Sequence, residues 1–127
     1  VRGAASMLAV LEHPELAGAG GASVPGTARL RAVVEMRGSE VTVLARPVRR
    51  DQALVALRDH FTTLAARPGG ALHVAVLHAA AEAGALALAT WVRRSLDPEE
   101  LVVTPITRHA ATRLGPRMIG VAWYQEP

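Results

Sequence analysis

Cysteine is absent from the 127 residues, which removes disulfides, thiolate nucleophiles and cysteine metal sites together. Lysine is absent too: all 14 Lys or Arg positions are arginine. That excludes Schiff-base chemistry and a phosphate-binding loop of the P-loop kind. Aromatics are scarce, with two Trp, one Tyr and one Phe, so Ala, Val and Leu must build the core. No apolar run approaches the ~20 residues a membrane-spanning helix needs. The N-terminus lacks the basic-then-apolar pattern of a secretory leader, and a cytoplasmic setting is the expectation. The chain opens at Val1 with an apolar stretch from Ala4 to Leu11, as expected for a piece of something longer.

Half of the residues are hydrophobic, enough for a single compact domain over residues 1–127 and too few for two. The net charge is +3 and the isoelectric point is about 10.9, a value inflated because arginine is the only strong base. High-GC codon preference is sufficient to explain an arginine-only surface. A functional basic patch needs local clustering, and the best cluster is Arg46, Arg49 and Arg50.

Along the chain, Met7, Leu8 and Leu11 recur at helical spacing and predict a short helix over Ser6 to Glu12, stopped by Pro14. Ala17 to Thr27, rich in glycine, reads as a long loop. Leu30 to Met36 and Val41 to Ala45 predict two strands joined by a turn at Arg37-Gly38-Ser39. Pro47 ends their pairing. Asp51 is placed to cap a helix whose apolar face is Leu54, Leu57, Phe61 and Leu64, ended by Pro68-Gly69-Gly70. Leu72 to Leu77 is nearly continuously apolar, predicting a strand covered on both faces. A second helix is expected from about Glu82 to Leu96, with Leu88, Val92 and Leu96 inward and Asp97-Pro98 as its stop. Leu101 to Val103 and Met118 to Tyr124 complete the strands. The order predicts an α/β fold, a two-layer sandwich with helices packed on a mixed β-sheet.

Catalytic chemistry finds little support. His73 and His78 are an odd number of residues apart on one strand, so they face opposite sides and cannot share a metal. His13 between Glu12 and Glu15 is a weak surface cluster. Asp51, Asp59 and Asp97 fall at helix ends or exposed faces, and Ser6, Ser23, Ser39 and Ser95 lie in no nucleophile elbow. No enzyme activity, cofactor or metal is expected. One local pattern stands out: Thr112 to Trp123 (TRLGPRMIGVAW) sets a Gly-Pro turn before an apolar strand. Arg113, just ahead of that turn, carries a guanidinium suited to a carboxylate or phosphate.

These residues resemble the C-terminal domain of the DegV family, bacterial fatty-acid-binding proteins that present acyl chains to a fatty-acid kinase. Ala111 to Ala122 parallels the family's Gly-Thr-His-Thr-Gly-Pro-Gly stretch and the Ala-Leu-Gly-Val-Ala after it, with Gly115, Pro116 and Gly120 in matching places. Leu30 to Val41 resembles its strand–turn–strand. Ala45 to Leu54 resembles its Arg-Thr-Arg-Lys-Lys-Ala-Leu helix start at Arg50, Ala53 and Leu54. Val74 to Ala79 resembles its strand ending in His-Ala. The sequence departs from the pattern where the family's His falls on Arg113, the last Gly of Gly-Pro-Gly on Arg117, and an Arg on Val48. Gly20-Gly21 only faintly echoes the family's Gly-Gly-Arg-Ile opening.

The resemblance implies a lipid-binding module for a long-chain fatty acid. Its acyl chain would lie in a cleft shared with a separate N-terminal domain, with Val33, Met118 and Ile119 in the wall. Thr112, Arg113, Gly115, Pro116 and Met118 become the ligand-binding candidates, and Arg46, Arg49 and Arg50 the docking patch for the kinase. Without the second domain, the bared cleft face is expected to pair into a homodimer. The competing expectation is an Arg-rich anion or nucleic-acid binding module. No aromatics interleave with the arginines, so the leading expectation carries no nucleic-acid partner.

Overall fold

A computed structural model describes residues 6–11, 31–38, 40–65, 70–110 and 117–126. In chain order these form β1 (Ser6–Leu11), β2 (Ala32–Arg37), β3 (Glu40–Ala45), α1 (Arg50–Ala65), β4 (Ala71–His78), α2 (Glu82–Leu96), β5 (Glu100–Pro105) and β6 (Ile119–Glu126). The strands make one sheet in the order β3-β2-β1-β6-β4-β5. β4 and β5 run parallel, as a strand–helix–strand crossover requires, and every other neighbouring pair is antiparallel. The expected mixed α/β sandwich is what forms.

The first element departs from expectation. Ser6–Leu11 is not a helix but an interior strand, paired with β2 on one side and β6 on the other. Leu8 to Leu11 are at most 1% exposed. Met7, Leu8 and Leu11 fit a strand with both faces covered as well as they fit a helix. Six residues also nucleate a helix poorly, whereas two waiting strand edges satisfy every backbone group. The expected loop over Ala17 to Thr27 lies outside the described residues, as do His13 and its glutamates, Ser23, Ser39, and Pro68-Gly69.

Two further expectations are revised in detail. α1 begins at Arg50, so Asp51 sits inside the first turn instead of capping it. Arg49 occupies the cap: its carbonyl accepts the Ala53 N–H at 3.1 Å, and its own N–H donates to Gln52 Oε1 at 3.2 Å. This is one half of a capping box, with the helix residue reaching back to the cap. β4 is not covered equally on both faces. Leu72, Val74 and Val76 are buried, while His73, Ala75 and Leu77 between them are half-buried. The β2–β3 hairpin and α2 form where the pattern placed them. Gly38 takes φ +62° in the hairpin turn, and Asp97 closes α2 in the left-handed region.

The sheet carries unequal layers on its two sides. Under the helices, Leu8, Val10, Val33, Val76, Ile119 and Val121 meet Leu57 and Phe61 of α1 and Leu88 and Val92 of α2. Phe61 and Trp123 pack tilted with ring centroids 4.9 Å apart, and Arg58 of α1 lies over the Trp91 ring of α2 at 5.8 Å. On the opposite face a smaller cluster holds Ala9, Leu11, Ala32, Val34, Ala79 and Met118.

Two glycines mark the closest approaches. A Cβ on Gly120 would stand 2.9 Å from the Leu8 carbonyl oxygen, backbone that the β1 ladder holds in place. A Cβ on Gly84 would stand 2.8 Å from Ile119 Cδ1, the free end of a side chain. Gly120→Ala is therefore expected to lower unfolding stability by about 1–3 kcal/mol. Gly84→Ala should stay within about 1 kcal/mol of the parent, because the gain in helix propensity offsets the crowding. Urea titration with an unchanged m-value reads both; equal losses at the two positions would contradict the distinction between fixed backbone and movable side chain.

Candidate functional site

One end of the sheet gathers the starts of both helices. β1, β3, β4 and β5 finish there and β2 and β6 begin there, by the strand directions of the sheet. α1 follows β3 and α2 follows β4, so both N-termini open at this end. Helix starts present unpaired N–H groups and a positive dipole end, and the carboxyl ends of parallel strands are where open α/β sheets receive ligands. Sequence position puts Arg31 before β2, Arg46 and Arg49 between β3 and α1, Arg50 at the start of α1, and Arg117 before β6, all at this end.

These arginines do different work. Arg31 donates from Nη1 to the Val48 carbonyl at 2.6 Å, pinning a loop whose Val48 side chain is 81% exposed. Arg49 grips Asp51 from Nε at 3.1 Å and Nη2 at 3.0 Å, and these bonds hold the Asp51 carboxyl below its ordinary range. Arg50 reaches across the end of the sheet and donates from Nη2 to the Arg117 carbonyl at 2.9 Å. Of the expected docking patch, Arg46 and Arg49 are exposed, Arg49 bonds Asp51, and Arg50 ties α1 to the start of β6.

Arg117 adopts φ +61°, a conformation that glycine takes without strain, at the place where the resembled pattern has glycine. Met118 follows it and is fully buried, its carbonyl accepting the Ala79 N–H at 2.9 Å. Met118 lies in the cluster away from the helices, whereas Val33 and Ile119 lie beneath them. The structure therefore separates these three wall candidates onto two faces of the sheet, and all are buried within the chain. Thr112, Arg113, Gly115 and Pro116 lie outside the described residues.

The two strand histidines face opposite sides, as their spacing requires. His78 is buried and structural: its carbonyl accepts the Ile106 N–H at 2.8 Å, and its Nδ1 accepts the Ala81 N–H at 3.1 Å at the start of α2. His73, near the far end of β4, forms a cluster that sequence reasoning missed. Its Nδ1 lies 2.8 Å from Glu100 of β5 and its Nε2 3.1 Å from Glu126 of β6. The ring stacks on Tyr124 with centroids 4.7 Å apart. Partners 27 and 53 residues away leave no local signal; only the register, with His73 opposite both Glu100 and Tyr124, brings them together. The two carboxylates, Glu100 first, raise the imidazole above its ordinary value of 6.5. Among the described residues no three acidic or imidazole side chains are placed to hold a metal ion, and no helix is long and apolar enough to cross a membrane.

No protein-family profile and no curated protein matches the chain. Solved structures do. A fatty-acid-binding DegV family protein from Thermus thermophilus matches 97% of this chain over 46% of its own, with TM-score 0.78 and 18% identity. A DegV lipid-binding protein from Thermotoga maritima matches 94% of this chain over 42% of its own, with TM-score 0.73 and 21% identity. A DegV family protein from Eubacterium eligens, loaded with heptadecanoic acid, matches 96% over 46%, with TM-score 0.70 and 13% identity. The chain thus has a fold found in DegV family structures and spans less than half the length of each.

His73 gives a pH test. A raised imidazole value means stabilisation that is complete below about pH 6.5 and lost as pH rises through the higher folded value. The stability of the parent should fall relative to His73→Gln as pH rises through that window, in urea titrations of both. Parallel profiles for the two proteins would show that the carboxylates do not act on the ring.

Proposed function

We propose that this chain is the C-terminal domain of a DegV-type protein of the cytoplasm, a lipid-binding module and not itself an enzyme, that holds a long-chain fatty acid for a fatty-acid kinase. One observation carries the proposal: nearly the whole chain superposes on less than half of solved proteins described as binding fatty acids. The rest of the ligand site then belongs to a second domain. Arg113 takes the carboxylate, and Thr112, Gly115 and Pro116 are its neighbours in the ligand site. Met118, fully buried and bonded through its carbonyl to the Ala79 N–H, is the last of the ligand-binding candidates.

A guanidinium stays charged at all physiological pH values, whereas imidazole switches near pH ~6.5. Carboxylate binding through Arg113 is therefore independent of pH in that range. Arg46, Arg49 and Arg50 form the docking patch for the kinase. Arg50 is a poor choice for testing that docking, since its bond to the Arg117 carbonyl couples it to the segment before Met118. No nucleic-acid partner is part of the proposal. The bonds of Arg31, Arg49 and Arg50 to Val48, Asp51 and Arg117 spend much of the basic end on internal contacts.

Calorimetry with saturated fatty acids of increasing length, below their micelle concentrations, tests the ligand. The isolated chain should bind weakly, above micromolar Kd, with affinity rising roughly fourfold per added CH₂ at ~0.8 kcal/mol each. Arg113→Ala should abolish that binding, and Arg113→His should retain it only at acidic pH. Affinity that ignores chain length but collapses with salt would instead mean phosphate contacts and counterion release. Arg46→Glu should leave fatty-acid affinity intact while weakening capture by a fatty-acid kinase; loss of both would sink the docking role.

A further inference from the structure

β5 is an outer strand of the sheet, with β4 on one side and no strand among the described residues on the other. Its backbone direction follows from the ladder. Ala75 stands opposite Val102, and the Ile106 N–H donates to the His78 carbonyl at 2.8 Å. Backbone groups alternate sides along a strand, so Glu100, Val102 and Thr104 bond towards β4, while the N–H and C=O of Leu101 and Val103 point to the free edge. Sheet edges in monomeric proteins are commonly guarded by charge, proline or bulges. Here Glu100 and Pro105 guard only the two ends. The other outer strand, β3, is differently made: its pairing with β2 has a register shift at Val33/Val34, which twists an edge away from flat pairing.

We propose that the β5 edge is where two copies of this chain pair, antiparallel about a two-fold axis at Val102, joining their sheets into one. A two-fold axis perpendicular to a sheet keeps each side chain on its own face, so only residues of like parity can meet. With the axis at Val102, the exposed Val102 side chains (46% exposed) cover each other. Glu100 stands opposite Thr104 of the second copy, an acid against a hydroxyl, and the two Glu100 carboxylates are held at opposite ends. On the helix face, Leu101 meets Val103. All outward N–H and C=O groups of Leu101 and Val103 find partners, about four hydrogen bonds in total. Moving the axis to Val103 instead would set Leu101 against Pro105, which has no N–H to give, and Glu100 against Ile106. The sequence of β5 is self-complementary in the first register and not in the second.

The helix layer agrees with this pairing. Between α2 and β5 runs a groove with Leu101, Val103 and Ala89 in its floor and Leu86, Arg93 and Arg94 at its rim. Leu86 is 50% exposed, and among the described residues neither arginine makes an ion pair. The same axis lays α2 antiparallel to its copy. Leu86 then packs on the aliphatic stems of the second copy's arginines, whose guanidiniums point towards exposed Glu82 at the N-terminal end. The interface is made by β5 and α2 and does not include the buried Val33, Met118 and Ile119.

Sedimentation equilibrium on the chain should give twice 13.4 kDa at high micromolar concentration, dissociating on dilution. Val102→Lys, which puts two ammonium groups face to face at an exposed position, should sediment at 13.4 kDa with unchanged urea midpoint. Thr104→Lys, which sets its ammonium opposite Glu100, should remain a dimer. In the parent, amide exchange at Leu101 and Val103 should slow with rising protein concentration. A monomer at all concentrations, a dimeric Val102→Lys, or a dimer in which those two amides exchange at a concentration-independent rate would each overturn the proposal.

Discussion

The sheet is continuous because β1 lies between β2 and β6. On one side of it stands the β2–β3 hairpin, and on the other β6 with the parallel pair β4–β5. Without β1 these are separate small sheets with two more open edges and no shared core. The joint depends on how closely two backbones approach. Ala9 pairs with Gly120, and a Cβ at Gly120 would push into the Leu8 carbonyl oxygen. The glycine is therefore a packing requirement of the fold, whatever its history as part of a motif. Leu8 and Val10 point under the helices while Ala9 and Leu11 point to the opposite face, so this one strand contributes to both cores.

From that joint the two ends of the sheet acquire opposite characters. At the end where both helices start, arginines secure loops by donating to backbone carbonyls at Val48 and Arg117. A guanidinium is suited to this because its planar fork can brace a carbonyl and keep its charge near the surface. Among the described residues, these bonds tie the Val48 loop to the start of β2 and α1 to the start of β6. At the far end the charges are arranged differently. His73 lies between Glu100 and Glu126 and ties the outer strand β5 to β4 and β6. The edge strand is thus fastened to its own sheet by side chains, and its outward backbone meets no further strand among the described residues.

Much of this was legible along the chain. The hairpin at Gly38, the span of α2 and the stop at Asp97 all follow from short-range signals: turn residues, apolar spacing, and a residue able to take the left-handed region. The likeness to DegV proteins was legible as collinear short motifs, and the solved structures match it in three dimensions at identities of 13–21%. Periodicity alone failed at Ser6–Leu11, because a residue run buried on every side carries no face to read. It also failed at Asp51, where a cap and a first-turn acid differ by two positions and Arg49 decided between them.

What the sequence determined by itself was the kind of elements and their order after the first, since helix, turn and strand preferences act over a few residues. It also set the chemical limits: no thiol, no lysine amine, and a surface whose positive charge is all guanidinium. Tertiary structure alone decided which strands are neighbours and in what register. On that register rest the His73 cluster, the division of Val33 and Ile119 from Met118, and the outward backbone of Leu101 and Val103. The physical reason is that register and sheet order are settled by contacts between residues dozens of positions apart, where the gain comes from burying two faces at once and no single segment carries the signal.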